Sequence, residues 1–281
     1  MSLNECKWVQ MSIMDEFYMI KLIASDLDGT LLQNGAQELT PRAIDLIHRL
    51  TEKGICFVAA SGRQYSNELI LFRDIKDEIS YIAENGSLCV HQGKVISRGI
   101  IEDDLAYRII DEVKKNGDFE IIVSREDTCL IEDQNPAFVN HIVNVIRNKT
   151  EVVKDIRQIH GPFLKIAICN MAGNKRILED YLKRLQDMFR DEIKVVTSGN
   201  IWIDFIAPGA NKGTALAGLM KLLDIKPEEC MAFGDQYNDI EMLELAGRSY
   251  AMANAAPGIS YHTKYVTDSV EDVLEDLLAV L

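Results

Sequence analysis

Asp26-Leu27-Asp28-Gly29-Thr30 follows directly on the apolar run at residues 20–24. A short apolar run closed by a turn glycine reads as a buried strand giving way to a loop. Asp26 and Asp28 stand two apart, so in extended backbone their carboxylates point the same way. A second segment repeats the arrangement: Gly234-Asp235-Gln236-Tyr237-Asn238-Asp239 follows the apolar run at 230–233. In open α/β sheets, ligands bind at the carboxyl ends of the strands. Carboxylates gathered there repel one another unless a cation sits between them. Magnesium, a hard ion that prefers oxygen, answers that need.

Outward from the first segment, Thr40-Pro41 offers an N-cap threonine and a proline at the first helical position. Ile44, Ile47 and Leu50 follow at helical spacing, and Gly54 ends the helix. A second buried strand over 55–60 leads into Ser61-Gly62-Arg63, a helical stretch to about residue 72, and a third strand over 81–83. This β-α-β-α-β alternation predicts a parallel sheet with crossover helices. From Gly86 the texture changes. Residues 87–90 and 94–97 flank Gln92-Gly93 as a hairpin, and strands over 119–124, 128–131, 163–169, 194–197 and 201–206 follow. Helices are expected among them at 103–115, 136–146 and 174–189. After Pro208-Gly209 the α/β rhythm returns, with helices over 212–223, 238–245 and 270–280 and strands over 230–233, 249–252 and 265–267. The fold class is therefore α/β, with a Rossmann-like parallel-sheet core that is discontinuous over 20–85 and 206–281. An α+β insert is expected over 86–205.

The 281 residues carry a formal charge of −14. That argues against a broad nucleic-acid or anionic-membrane surface, which needs a basic stripe. No apolar run approaches the roughly 18 to 20 residues that span a bilayer. Residues 1–19 read as an N-terminal extension. They lack the basic start and apolar stretch of a signal peptide and contain Glu5, Asp15 and Glu16. The six cysteines are scattered with no C-x-x-C pair, as small buried hydrophobes in a reducing compartment would be, and a cytoplasmic location follows. No obligate protein partner is expected.

Taken together, the strand ends hold carboxylates (Asp26, Asp28, Asp235, Asp239), a hydroxyl (Ser61), an amide (Asn238) and a lysine opening a helix (Lys212). The backbone N–H groups of Gly62 and Arg63, at a strand-to-helix junction, suit an oxyanion. This inventory fits phosphoryl transfer, which is mostly positioning and charge neutralisation.

The ordered set DLDGTLL, AASGR, NKGTAL and GDQYNDIEML resembles the haloacid dehalogenase (HAD) superfamily of phosphohydrolases. The insert between the second and third motifs resembles the type IIB cap of the Cof-like branch. The resemblance runs from about Ile20 nearly to the end of the chain. It implies Asp26 as nucleophile and Asp28 as general acid and base. It implies Mg²⁺ held by Asp26, Asp235 and the main-chain carbonyl of Asp28, with Asp239 supporting it directly or through water. It implies that Ser61, Lys212, Asn238 and the N–H groups of Leu27 and Gly62 hold phosphoryl oxygens, with Arg63 near the substrate. Near the C-terminus, Thr267-Asp268-Ser269-Val270-Glu271-Asp272-Val273 lacks the glycine of many relatives, so the loop before the last helix should differ in shape. The expected activity is hydrolysis of a small phosphorylated metabolite such as a sugar phosphate. A phosphomutase, or a weakly active regulatory binder of phosphometabolites, is the alternative. Glu84, Asn85 and Asn170 are polar candidates for the cap's substrate contacts, with a surface or turn position as the equal alternative.

Overall fold

The computed structural model describes residues 20–198 and 201–281, so the expected N-terminal extension and Cys6 lie outside the described residues. The chain runs β1 (Leu22–Ser25), α1 (Pro41–Glu52), β2 (Cys56–Ala60), α2 (Tyr65–Leu71), β3 (Ser80–Ala83), β4 (Leu88–His91) and β5 (Lys94–Arg98). It continues with α3 (Asp103–Asn116), β6 (Glu120–Ser124), β7 (Cys129–Glu132), α4 (Pro136–Asn140), β8 (Thr150–Val153), β9 (Lys165–Cys169), α5 (Lys175–Met188), β10 (Lys194–Ser198) and β11 (Trp202–Ile206). It closes with α6 (Lys212–Leu222), β12 (Cys230–Gly234), α7 (Ile240–Leu245), β13 (Arg248–Met252), β14 (Tyr265–Thr267) and α8 (Val270–Val280).

The first sheet has the order β14-β13-β12-β1-β2-β3-β4-β5. Pairing is parallel from β14 through β3 and antiparallel across the last two steps. β1 lies inside it, and its neighbouring residues face opposite layers. Ile23 joins the cluster with Leu46 and Leu50 of α1 and Leu274 and Leu277 of α8, while Leu22 and Ala24 pack with Leu216 and Leu219 of α6. A strand covered on both faces must be apolar throughout, which is why its sequence does not alternate.

The second sheet has the order β10-β11-β9-β6-β7-β8. One face, with Ile121, Val123, Ile166, Ile168, Ile203 and Phe205, packs on Ile109 of α3 and on Leu178 and Leu185 of α5. The other face carries Ile122, Cys129, Ile131, Ala167 and Cys169, partly covered by Phe138 and Ile142.

From sequence, the insert is expected to begin at residue 86, but the hairpin β4–β5 belongs to the first sheet. β4 pairs antiparallel with β3 in the register Ile82↔Cys89, so the second sheet's chain leaves only after Arg98. Strand texture identifies a hairpin but not the edge it joins, which is a tertiary choice. β8 has no counterpart among the expected strands. Its sequence Thr-Glu-Val-Val is half-exposed without alternation, and β8 is held by parallel pairing to β7 and by Val153 packing on the core of the second sheet. The expected helix at 136–146 is a short α-turn, α4, that widens into a π-turn over His141–Ile146.

The chain crosses between the sheets in two neighbouring segments. A Cβ added at Gly99 on the outward crossing would stand 2.7 Å from the Cβ of Ala210 and 3.4 Å from that of Ala207 on the return. The described cysteines are free, with Cys89, Cys129, Cys169 and Cys230 buried and Cys56 half-buried. No described helix is long and apolar enough to cross a membrane.

Candidate active site

Adjacent parallel strands bring the two acidic segments side by side. Ser25 at the end of β1 is in register with Phe233 of β12, and the Asp26 N–H donates to Phe233 O at 3.0 Å. Asp26, Asp235 and Asp239, all buried, offer carboxylate oxygens within 4.8 Å of one another. Lys212, fully buried at the start of α6, donates from Nζ to Asp26 Oδ1 (2.5 Å) and to Asp239 Oδ1 (2.6 Å). Its helix is held in place by Asn211, whose Oδ1 accepts from Thr214 N–H at 2.7 Å while Thr214 Oγ1 accepts from Asn211 N–H at 3.1 Å.

The charge balance is negative, with three carboxylates around one ammonium. Burial pushes the Asp26 carboxyl well above the usual carboxylate range. Lys212 pulls it back, and Asp239 and Asp235 push it up again. Burial, and then Asp239, also raises Asp235. Burial works against the Lys212 ammonium, but Asp239 and Asp26 outweigh it and raise its pKa. Asp26 Oδ2 is buried with no hydrogen-bond partner. A buried, unpartnered carboxylate oxygen is costly unless a cation takes it. An all-oxygen donor set suits a hard divalent ion.

The roles of the acids separate. Asp239 Oδ1 is taken by Lys212, and its Oδ2 accepts from the N–H groups of Asp235 (3.0 Å) and Gln236 (2.9 Å). Asp239 therefore holds the lysine and the 235–236 turn together. Asp235 accepts from Thr30 Oγ1 at 3.1 Å and from Gln236 Nε2 at 3.2 Å. Asp26 Oδ2 and Asp235 are the oxygens left to face an ion. Gly29, with φ +93°, makes this approach fit, because a Cβ there would stand 2.4 Å from Asp235 Oδ2.

Asp28 is exposed and takes a two-pronged contact from Arg63, Nε to Oδ2 at 2.8 Å and Nη2 to Oδ1 at 2.6 Å. Such a fork fixes orientation as well as charge. Ser61 is buried, and its Oγ accepts from Arg63 N–H at 3.1 Å. Asn238 donates from Nδ2 to Asn85 Oδ1 at 3.0 Å. Leu27 is buried in the turn, its carbonyl accepting from Leu32 N–H at 2.7 Å. The residues expected from sequence thus stand along one sheet edge.

Residues 23–275 match the family model of haloacid dehalogenase-like hydrolases. The chain belongs to that family. This hydrolase is 31% identical over 264 residues to the 5-amino-6-(5-phospho-D-ribitylamino)uracil phosphatase YbjI of Escherichia coli, covering 92% of its own chain and 96% of the relative's. It is 29% identical over 247 residues to an HMP-PP phosphatase of Cronobacter sakazakii, covering 85% and 86% of the two chains. A crystal structure from Eubacterium rectale, 30% identical, superposes with a TM-score of 0.82 over 92% of this chain and 99% of that one. The hydrolase is a phosphatase of the Cof-like HAD type.

Some polar residues of the hydrolase's site region escape the sequence reading. Glu84 and Asn85, left open between a cap role and a surface or turn position, lie in a left-handed turn (φ 51° and 57°) at the carboxyl end of β3, but buried. The signal was available, since a third parallel strand end points to the same edge. Asn170 is buried too, but follows the end of β9 opposite Lys165, donating to Asp118 O and accepting from Asn174 N–H. Lys165 and Asp204 are buried single charges inside apolar strands. A lone charge in a buried strand almost always has a partner, and that was the clue.

Gly86 lets this turn lie on the start of α6. Its φ is +93°, and a Cβ there would stand 2.2 Å from Asn211 O, a backbone atom that cannot move aside. Gly86→Ala should therefore cost about 3 kcal/mol or more in urea unfolding. Gly54→Ala (φ +83°, nothing within 4 Å) should cost only about 1 to 2 kcal/mol, the backbone penalty alone. Equal losses for the two would contradict the contact.

Proposed function

We propose that this hydrolase cleaves a small phosphorylated metabolite through an aspartyl-phosphate on Asp26. Mg²⁺ would be held by Asp26, Asp235 and the main-chain carbonyl of Asp28, and buttressed by Asp239. The observation that carries the reading is Asp26 itself: one oxygen is fixed by Lys212 at 2.5 Å and the other is buried without a partner. Mg²⁺ bound there would supply charge neutralisation for the phosphoryl transfer.

An Asp26 oxygen attacks phosphorus and the bond to the leaving alcohol breaks, which splits one difficult hydrolysis into two easier steps. Asp28 gives a proton to the departing oxygen, then takes one from the water that attacks the aspartyl-phosphate and releases phosphate. Lys212, Ser61, Asn238 and the N–H groups of Leu27 and Gly62 hold the transferring oxygens. Arg63 occupies both Asp28 oxygens, so it must turn aside before that proton can move. The six-stranded insert acts as a cap that excludes water and selects the leaving group. It reaches the core at Lys165, which donates to Gly62 O at 2.9 Å, and at Ile146, whose carbonyl accepts from Asn67 Nδ2 at 2.8 Å. A relative named for a phosphoribityl compound supports a small phosphomonoester as substrate.

Asp28→Asn tests the acid. It should lower turnover of sugar and polyol phosphates by about 10² to 10⁴, and lower phosphoryl transfer from p-nitrophenyl phosphate much less, because nitrophenolate leaves unaided. Burst-phase measurement of that transfer step for both substrates decides the point. Equal losses would remove Asp28 from the role.

A further inference from the structure

Asn85 joins the two sheets. It donates from Nδ2 to Asp204 Oδ2 on β11 at 3.2 Å and accepts at Oδ1 from Asn238 Nδ2 at 3.0 Å. All but Asn238 in this relay are buried, Asn85 at 5% and Asp204 at 1% exposed. Lys165 of β9 braces the relay, its Nζ 3.7 Å from Asp204 Oδ2, 2.6 Å from Glu84 Oε2 and 2.9 Å from Gly62 O.

The direction of the relay is forced. An ionised carboxylate only accepts hydrogen bonds, so Asn85 must present its NH₂ group to Asp204. Its carbonyl then faces Asn238, which must present its own NH₂ group in return. One charge on the second sheet therefore dictates which way an amide beside Asp235 is turned. We propose that Asp204 and Asn85 are positioning residues, which set the Asn238 amide for the transferring phosphoryl group only while the two sheets are docked. This rests on the phosphatase reading above, and it makes cap docking a condition of phosphate binding, separate from any grip on the leaving group.

The test is a double-mutant cycle between Asp204 and Asn238 with acetyl phosphate, a substrate with almost nothing for a cap to hold. Asp204→Leu is close to isosteric, suits an apolar strand and leaves Lys165 paired with Glu84. It should lower kcat/KM for acetyl phosphate about tenfold or more and weaken inhibition by inorganic phosphate in parallel. Asp204→Asn, which keeps an acceptor, should retain most of the activity. In an Asn238→Ala background, Asp204→Leu should cost less than about twofold, since a residue acting through another has nothing left to act on. Additive losses, or an undiminished acetyl phosphate rate in Asp204→Leu, would overturn the proposal.

Amide hydrogen exchange of the protein without ligand supplies an arm independent of activity. Residues 84–86 and 237–239 should exchange about tenfold faster in Asp204→Leu while β1 keeps its protection. Unchanged exchange there also overturns the proposal. A wild-type protein that hydrolyses no phosphate ester would instead defeat the functional reading, and the exchange arm would still decide the relay.

Discussion

Asp26→Asn should yield a folded protein whose phosphate release falls by roughly four or more orders of magnitude, as nucleophile knockouts do. Asparagine keeps the shape and can still accept from Lys212, but it cannot form the aspartyl-phosphate. Stability should hold or rise. Burial, with Asp239 and Asp235, outweighs Lys212 and works against the charge on Asp26; the substitution removes that charge while Asp239 keeps the lysine paired. The pairing of lost turnover with retained stability separates a nucleophile from a structural acid. Phosphate release with Mg²⁺, alongside urea unfolding of both proteins, checks it. Excess chelator should silence the wild type to a similar degree. Near-wild-type turnover by Asp26→Asn, or full activity in chelator, would end the mechanism.

Lys212→Met should destabilise the fold by about 3 to 5 kcal/mol, the cost of leaving buried charge uncompensated. The ammonium is fully enclosed and is shared between Asp26 and Asp239, so its removal strands both. Turnover should fall as well, because in the proposed mechanism the same nitrogen orients the attacking carboxylate. Combining Lys212→Met with Asp26→Asn should recover part of the lost stability, since one of the stranded charges is gone. Urea unfolding of the two single variants and the double measures this directly. Strict additivity would mean that the lysine and Asp26 do not act as a pair in solution.

The parallel strands and the acids at their ends were legible because both are local patterns. Apolar runs of strand length stop at turn residues, and Asp26, Asp28, Asp235 and Asp239 sit at those stops. Register then does the rest, since Ser25 beside Phe233 forces the two acidic turns together. What escaped was decided by partners far along the chain. The hairpin at Leu88–Arg98 looks the same in sequence whether it extends one sheet or begins another. β8 mixes Thr and Glu with two valines in no alternating pattern, and its pairing with β7 is what makes it a strand. Asn85 and Asp204 are 119 residues apart, and nothing local to either announces the other.

The close passage of the two crossings, Gly99 against Ala207 and Ala210, also bears on how such a chain can be recombined. The whole second sheet enters and leaves through one narrow neck, so it is a cassette. Excision would ask only a short linker to rejoin the core, and a foreign cassette could be spliced in at the same two points without disturbing the parallel strands. The transplant has one compatibility rule. The incoming module must bring an acceptor where Asp204 stands and a cation where Lys165 stands, or the host's Glu84 and Asn85 are left without their partners.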